Sequence, residues 1–162
     1  MNFVGIAVFA AAMFVLVVVV GNSMSYNNNV SSAENFYNSG KYDQAYEKLA
    51  GLTLKEKDIP LYNKLRTIMS IYGDYTSYQN LTKVHLTAEA LDCLINGYLH
   101  YDEYYAFAEE YEVTEEFDTI YQSIIYTLQQ YGITEDEVLY LSEIENLDQY
   151  YEILASYGGS AE

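Results

Sequence analysis

From residue 31 to residue 158, apolar side chains recur every three or four positions, which is the spacing of amphipathic α-helices. The chain also contains one proline and nine glycines, a composition that suits long helices better than a sheet sandwich. The pattern therefore predicts an all-α fold. The predicted helical runs are 31–39, 42–52, 59–72, 85–111, 114–131, a run that opens at 134, and 146–158.

Polar residues and glycines mark where several of these helices begin and end. The candidate N-caps are Ser31, Thr114, Thr134 and Asn146. Ser31 and Thr134 are followed three residues later by Glu34 and Glu137, which completes a capping box in which a hydroxyl and a carboxylate satisfy unpaired helix amides. Gly40 and Gly132 follow predicted helices and can take the left-handed conformation that ends them.

Residues 3–20 form an uninterrupted apolar run. About 18 residues at 1.5 Å each cover roughly 27 Å, close to the thickness of a bilayer core. The run favours an uncleaved transmembrane anchor, because it lacks a basic flank and exceeds the apolar core of most signal peptides. Cleavage near Ser23 or Ser25 is the alternative. Residues 21–30 are polar and rich in Asn, which predicts a short tether.

The compartment is inferred from the anchor and the composition together. No Lys or Arg lies close to either end of residues 3–20, so the positive-inside rule does not determine the orientation. An acidic, tyrosine-rich domain behind an apolar segment is more often exported. We therefore expect a single-pass protein of the cell membrane whose helical domain is extracytoplasmic. Secretion after signal-peptide cleavage is the alternative.

Residues 31–52 contain a spaced set of aromatic and small residues. The set is Phe36, Gly40, Tyr42, Ala45 and Leu49. It resembles the tetratricopeptide repeat (TPR), a hairpin of two short antiparallel helices. In such a hairpin, Ala45 would let the helices approach closely, while Phe36 and Leu49 would fill the space beside it. The resemblance implies a repeat-packing role for the five residues and a short TPR-like array of helical hairpins, an α-solenoid, over residues 31–158.

The resemblance weakens on both sides of this hairpin. Asn29 and Ser32 stand where the repeat has Trp and Leu, which implies a shortened first helix. The Gly-Asp-Tyr sequence at 73–75 echoes Gly-Lys-Tyr at 40–42 and predicts a second turn after the helix over 59–72. Tyr78 occupies the Ala position of that second copy, so its helices would lie further apart.

Charge is distributed unevenly along the chain. The formal net charge is −17, and all seven basic residues lie between Lys41 and Lys83. From Val84 to Glu162 there are 18 acidic residues and no Lys or Arg. This balance excludes a general nucleic-acid binder, which needs clustered basic residues. It indicates a region that repels anionic surfaces and attracts basic partners.

Motifs for chemistry are weak in this sequence. His85 with Glu89, and His100 with Glu103, share helix faces, but no third or fourth zinc ligand is spaced to join either pair. The lone Cys93 lies in an apolar run and is interpreted as a packing residue. No phosphate-binding glycine loop or nucleophile motif occurs. We therefore predict no metal, no cofactor and no enzymatic activity.

The 20 tyrosines are the main remaining feature. Most of them share helical spacing with Leu and Ile, so packing between helices explains the majority. Several on the predicted run 85–111 also have acidic neighbours, which suits a groove for a basic peptide because Tyr is enriched at interface hot spots. The candidate partner-binding residues are Tyr104, Tyr105, Glu109, Glu110 and Tyr111.

Together these patterns predict a membrane-anchored helical-repeat protein that binds another protein or peptide through a Tyr-rich and acidic surface, which suits a basic partner. The alternative is a structural or accessory subunit of a membrane complex that docks through its transmembrane helix. Residues 84–158 would form the acidic second half of the domain, and residues 159–162 a short tail. The partner and the oligomeric state stay open.

Overall fold

The computed structural model describes residues 24–158, and all regular secondary structure in that range is helical. The prediction of an all-α fold is therefore confirmed. A short 3-10 turn, Glu56–Asp58, precedes the third helix. The helices are α1 (residues 24–38), α2 (Tyr42–Leu49), α3 (Ile59–Lys83), α4 (Thr87–Glu110), α5 (Thr114–Gln130), α6 (Glu135–Ser142) and α7 (Leu147–Gly158).

Among the helices described, none has the length and apolarity needed to cross a bilayer. The anchor predicted at residues 3–20 lies outside the described range, as do the tail residues 159–162. The described part of the chain divides into two compact units, one that ends at Ile59 and one that begins at Pro60.

In the first unit, α1 is helical throughout residues 24–38, so the predicted start at Ser31 is wrong. Ser31 lies inside the helix rather than at its N-cap, and residues 24–30 of the predicted tether are helical. The physical reason is tertiary contact. Val30 is buried, and the hydroxyl of Tyr26 donates to Asp58 Oδ2 at 2.5 Å. Such contacts outweigh the weak helix propensity of the asparagines in this turn.

The turn between α1 and α2 follows the prediction at Gly40, which has φ +68°. The amide of Lys41 donates to the carbonyl of Phe36 at 2.9 Å, and the amide of Gly40 donates to the carbonyl of Tyr37 at 2.9 Å. This pair of bonds is a Schellman motif, which satisfies carbonyls that the helix end leaves unpaired. Glycine suits the position because it has no Cβ to clash in the left-handed conformation.

In the second unit, α3 is continuous from Ile59 to Lys83, so the predicted turn at residues 73–75 is wrong. Gly73 lies in the helix interior, and the Thr76 hydroxyl donates to the carbonyl of Tyr72 at 3.0 Å within the same helix. A single interior glycine costs about 1 kcal/mol of helix stability. Burial of Ile68 and Ile71 on the preceding turns offsets this cost.

Helix α4 is central to the second unit, since it packs against both α5 and α7. The buried residues of α4 recur at helical spacing, as expected of an amphipathic helix that packs against its neighbours. The largest fully buried side chains of this unit are Leu65, Ile68, Ile71, Leu91, Leu94, Ile95, Phe117, Ile124, Ile133, Leu141 and Leu154. Four of them, Phe117, Ile124, Leu141 and Leu154, lie on α5, α6 and α7.

The predicted caps of α6 and α7 are confirmed. The Thr134 hydroxyl accepts from the Glu137 amide at 3.3 Å, and Glu137 Oε2 accepts from the Thr134 amide at 2.6 Å. The hydrogen bonds that the Thr134 amide and hydroxyl donate to the Glu137 carboxylate lower its pKa. At α7, Asn146 Oδ1 accepts from the amides of Asp148 and Gln149 at 3.0 and 3.2 Å.

The predicted cap at Thr114 is wrong by one residue. Thr114 is the first helical residue of α5, and Val113 occupies the N-cap position without a side-chain hydrogen bond. Val113 is fully buried, and its amide donates to the carbonyl of Ala108 at 2.9 Å. Burial of this valine sets where α5 begins, because it fixes the chain between the end of α4 and the first turn of α5.

Four helices in the described range end in the same way, with a left-handed residue and a bond spanning five residues. The left-handed residues are Gly40, His85, Glu112 and Gly132, with φ between +55° and +75°. His85 ends α3, where the amide of Leu86 donates to the carbonyl of Leu81 at 3.1 Å. Side chains other than glycine are strained in this conformation, so α3 and α4 end at a cost that glycine would remove.

Replacing His85 with glycine is expected to raise the free energy of unfolding by about 1 kcal/mol, because it relieves the left-handed strain. The measurement is chemical denaturation, with Q122G in the exposed middle of α5 as the matched control. The control is expected to lose about 1 kcal/mol through helix propensity. A loss of stability in H85G would contradict the strain argument.

Candidate functional site

A row of aromatic side chains follows one face of the C-terminal half of α4. We name it the aromatic stripe, and it consists of His100, Tyr104, Phe107 and Tyr111. Each ring contacts the next, with centroid separations of 5.9, 6.2 and 6.4 Å along the row. Residues spaced by four, three and four positions lie on one side of an α-helix, and the sequence thereby produces a continuous ring surface.

The aromatic stripe is partly open to solvent. Phe107 exposes 46% of its surface, which is high for a phenylalanine, while the other three rings are half-buried. Glu103 and Glu110 are exposed and lie along the same flank of the stripe, since they precede Tyr104 and Tyr111 by one position each. The surface therefore combines apolar ring area with two carboxylates, which can attract a cationic group toward aromatic faces.

Of the five predicted partner-binding residues, the structure brings three together. Tyr104 and Tyr111 belong to the aromatic stripe, and Glu110 lies beside it. Glu109 is exposed on roughly the opposite side of α4, about half a turn away by helical geometry. Tyr105 also points away from the stripe and contacts Tyr101 at a ring separation of 5.2 Å.

His100 and Phe107 were missed as site residues in the sequence prediction. Both could have been found from spacing, because His100, Tyr104, Phe107 and Tyr111 repeat at the interval of one helix face. The prediction instead relied on acidic neighbours in sequence, which do not identify a shared face.

His100 links the start of the aromatic stripe to α3. Its Nδ1 lies 2.8 Å from Asp74 Oδ2. Burial raises the pKa of the Asp74 carboxyl, while the bond to His100 opposes that shift. Gly97 lies one turn before His100 on α4 and also faces Asp74. A Cβ built at Gly97 would lie 3.2 Å from Asp74 Cβ. The close approach of α3 and α4 at this point orients the His100 ring against Tyr104.

The other end of the aromatic stripe is also tied to α3 electrostatically. Burial raises the pKa of Tyr111, with Glu110 adding to the shift and Arg66 opposing it. Lys64 Nζ lies 3.8 Å from Glu112 Oε2, in a pair whose glutamate is strongly exposed. An exposed pair of this kind contributes at most about 1 kcal/mol. The charges nearest Tyr111 are therefore mixed in sign, whereas those beside Tyr104 and Phe107 are acidic.

Behind the aromatic stripe, a second aromatic group joins α4 to α5. Tyr101 stacks on Tyr121 with ring centroids 3.6 Å apart and on Phe117 at 5.4 Å. The Tyr101 hydroxyl donates to Asp118 Oδ1 at 2.7 Å. Burial and this carboxylate raise the pKa of Tyr101 well above its ordinary value. This group fixes the half of α4 that carries the aromatic stripe, so the stripe stands on a rigid support.

Bonds from tyrosine hydroxyls to carboxylates recur in the second unit. Tyr150 and Tyr151 both donate to Asp92, at 2.7 and 3.3 Å, which joins α7 to α4. Tyr157 donates to Glu137 Oε1 at 3.1 Å, which joins α7 to α6. In a chain with few basic residues, tyrosine hydroxyls replace Lys and Arg as the partners of acidic groups. In the second unit, Tyr101, Tyr150, Tyr151 and Tyr157 have this role.

The residues assigned to repeat packing all lie in the first unit. Ala45 and Leu49 are fully buried on α2. Phe36 and Tyr42 are half-buried, and Tyr42 meets Tyr37 edge to face at 5.9 Å. Gly40 forms the turn between α1 and α2. The placement agrees with hairpin packing, while membership of the repeat family stays a prediction.

Groups suited to metal or covalent chemistry are scarce in the described residues. Across residues 24–158, no three His, Cys, Asp or Glu side chains converge to hold a metal ion. Burial and the nearby Asp92 and Asp74 raise the pKa of the Cys93 thiol, which disfavours the reactive thiolate. A small cleft beside Tyr98 and Val138 has a cavity volume of about 10 Å³, room for about one water molecule and far below the roughly 300–1,000 Å³ of small-molecule sites.

Comparison with protein-family models, with characterised proteins and with solved structures finds no match for this chain.

Proposed function

We propose that the chain is a binding module that recognises a basic segment of another protein through the aromatic stripe on α4. The observation that supports this most directly is the contiguous ring surface of His100, Tyr104, Phe107 and Tyr111 with Glu103 and Glu110 along one flank. Exposed aromatic rings with a polar rim are typical of interface hot spots.

Electrostatics favour a cationic partner. The region after Lys83 contains acidic residues without Lys or Arg, so its field attracts basic groups over the distance of a Debye length, about 8 Å at physiological salt. Such steering raises the association rate and falls with ionic strength. The carboxylates of Glu103 and Glu110 then act at short range, beside the rings, where a Lys or Arg side chain can meet an aromatic face.

In this proposal, residues 3–20 anchor the domain in the cell membrane and the helical domain is extracytoplasmic. The hairpin of α1 and α2 is a TPR-like element, supported by the turn at Gly40 and the burial of Ala45 and Leu49. The long, unbroken α3 argues against extending the same repeat to residues 59–83. The binding surface would thus belong to a divergent helical domain rather than to a regular repeat array.

A labelled lysine-rich peptide is expected to bind the protein, and F107A is expected to weaken that binding about tenfold or more, as loss of a hot-spot ring does. Fluorescence anisotropy at increasing salt concentration gives both the affinity and its ionic-strength dependence. Y126A is the matched control, because Tyr126 is an exposed aromatic residue on α5.

Binding that ignores salt would contradict electrostatic recognition of a basic segment. Equal losses in F107A and Y126A would show that the aromatic stripe has no special role. A glutamate-rich peptide of the same length tests the sign of the charge preference and is expected not to bind.

A further inference from the structure

The spacing of the residues in the aromatic stripe indicates the shape of the partner that it accepts. His100, Tyr104, Phe107 and Tyr111 follow intervals of four, three and four residues. These intervals are the alternating d and a positions of a heptad, the pattern by which one helix packs against another. The stripe extends over about 16 Å of helix axis, at 1.5 Å for each residue. Such a straight, narrow seam matches the side of a second helix.

The charged residues fall into the same register. With His100 and Phe107 at d and Tyr104 and Tyr111 at a, both Glu103 and Glu110 occupy g positions. In helix pairs, residues at g face e or g positions of the partner and select it by charge. The e position between them is Ala108, which is fully buried within the fold. Only the acidic g flank is therefore open to a partner.

We infer that the aromatic stripe receives one α-helix of a partner protein, whose apolar seam packs on Phe107 and whose Lys or Arg residues face Glu103 and Glu110. This inference rests on the proposed function and adds the conformation and the charge register of the partner. An amphipathic helix laid on an apolar groove is an established recognition mode in general, with anchors spaced by three and four residues.

Charge decides between this occupant and two others. A second copy of the chain would bring together two molecules of net charge −17, and an antiparallel pair of α4 helices would set Glu103 against Glu110. The apolar run at residues 3–20 contains no Lys or Arg that could face either glutamate. A basic helix from another protein satisfies both the rings and the carboxylates.

The test uses two synthetic peptides of about three heptads and identical composition. The seam peptide has Leu at a and d and Lys at e and g, so that repulsion between lysines keeps it monomeric. The shuffled peptide breaks the four-three spacing. The seam peptide is expected to bind the full chain at least about tenfold more tightly and to gain helicity on binding, as measured by anisotropy and circular dichroism.

Charge-reversal variants locate the contact. E103K/E110K is expected to lose the preference for the seam peptide and to prefer a version with Glu at e and g. E145K/E152K changes the net charge by the same amount at two other exposed positions. Because this control leaves Glu103 and Glu110 in place, it separates the effect of charges beside the aromatic stripe from the effect of long-range electrostatic steering. Circular dichroism of each variant alone confirms that it is folded.

Each outcome has a distinct meaning. Equal, salt-dependent binding of both peptides would overturn the helix inference and leave the proposed function standing, whereas binding of neither would defeat both. Tight binding that both F107A and E103K/E110K leave unchanged would place the contact elsewhere and also overturn the inference. Self-association that F107A abolishes would identify a second copy as the occupant instead.

Discussion

Replacing Gly97 with leucine is expected to lower the free energy of unfolding by about 3 kcal/mol or more, the upper range for overpacking a core. A Cβ at this position would lie 2.9 Å from Ile124 Cδ1 and 3.2 Å from Asp74 Cβ, closer than van der Waals contact allows. A leucine adds three further carbons into the same space between α3, α4 and α5. Thermal and chemical denaturation, together with the near-ultraviolet tyrosine circular dichroism, measure the loss.

The matched control is the other interior glycine. G73A meets only Met69 Cε at 3.9 Å, so it is expected to gain about 0.5–1 kcal/mol from helix propensity. G97A should be less stable than G73A, and adding I124V should recover part of the difference, because it removes the Cδ1 that the new Cβ would meet. Additive effects of G97A and I124V would contradict direct contact between the two positions.

These two glycines show why the sequence predicts some of the fold and not the rest. Both lie inside helices, and the residues next to them in sequence do not show which of the two glycines makes a close contact with a neighbouring helix. The turn predicted at Gly73 is wrong because burial of Ile68 and Ile71 offsets the cost of a glycine inside α3. Gly97 owes its importance to Asp74 and Ile124, which are distant in sequence and adjacent only after α3, α4 and α5 have packed.

Two of the four predicted helix starts, those of α6 and α7, were correct because their signals are local. Thr134 with Glu137, and Asn146 with its following amides, act within one turn, so the sequence contains the whole interaction. The end of α3 at His85 was not predicted, because a left-handed residue other than glycine has no clear sequence signal. The helical conformation of residues 24–30 likewise depends on a contact between Tyr26 and Asp58, which are 32 positions apart.

The candidate site was predictable in part. Acidic neighbours and tyrosine content selected Tyr104, Glu110 and Tyr111, which the structure places on one side of α4, while their role in partner binding stays a prediction. Neighbours in sequence are not neighbours on a helix, so Glu109 was grouped with residues from which it points away. The packing that supports the site depends on α5, where Asp118 accepts a hydrogen bond from the Tyr101 hydroxyl.

Tyrosine protonation links the stability of this fold to pH in the alkaline range. Burial raises the pKa of Tyr78 to about 12, with Tyr131 adding to the shift. Burial also raises the pKa of Tyr101, Tyr121 and Tyr150 well above the ordinary value. An unfolded chain releases these protons at about pH 10, so above that pH it binds fewer protons than the folded chain. The stabilisation is therefore complete below about pH 10 and is lost as pH rises further.

The protein is expected to unfold cooperatively between about pH 10 and 12, with tyrosinate absorbance and loss of helical circular dichroism appearing together. Y150F tests the cause, because it removes a titrating phenol and also a hydrogen bond to Asp92. The free energy of unfolding of Y150F should be lower by about 1–3 kcal/mol at neutral pH. As the pH rises above about 10, it should then fall less steeply than that of the native chain. Y126F, at an exposed phenol on α5, should change neither quantity. Titration of all tyrosines near pH 10 without loss of helix would contradict the role of buried tyrosine–carboxylate pairs in holding α4, α5 and α7 together.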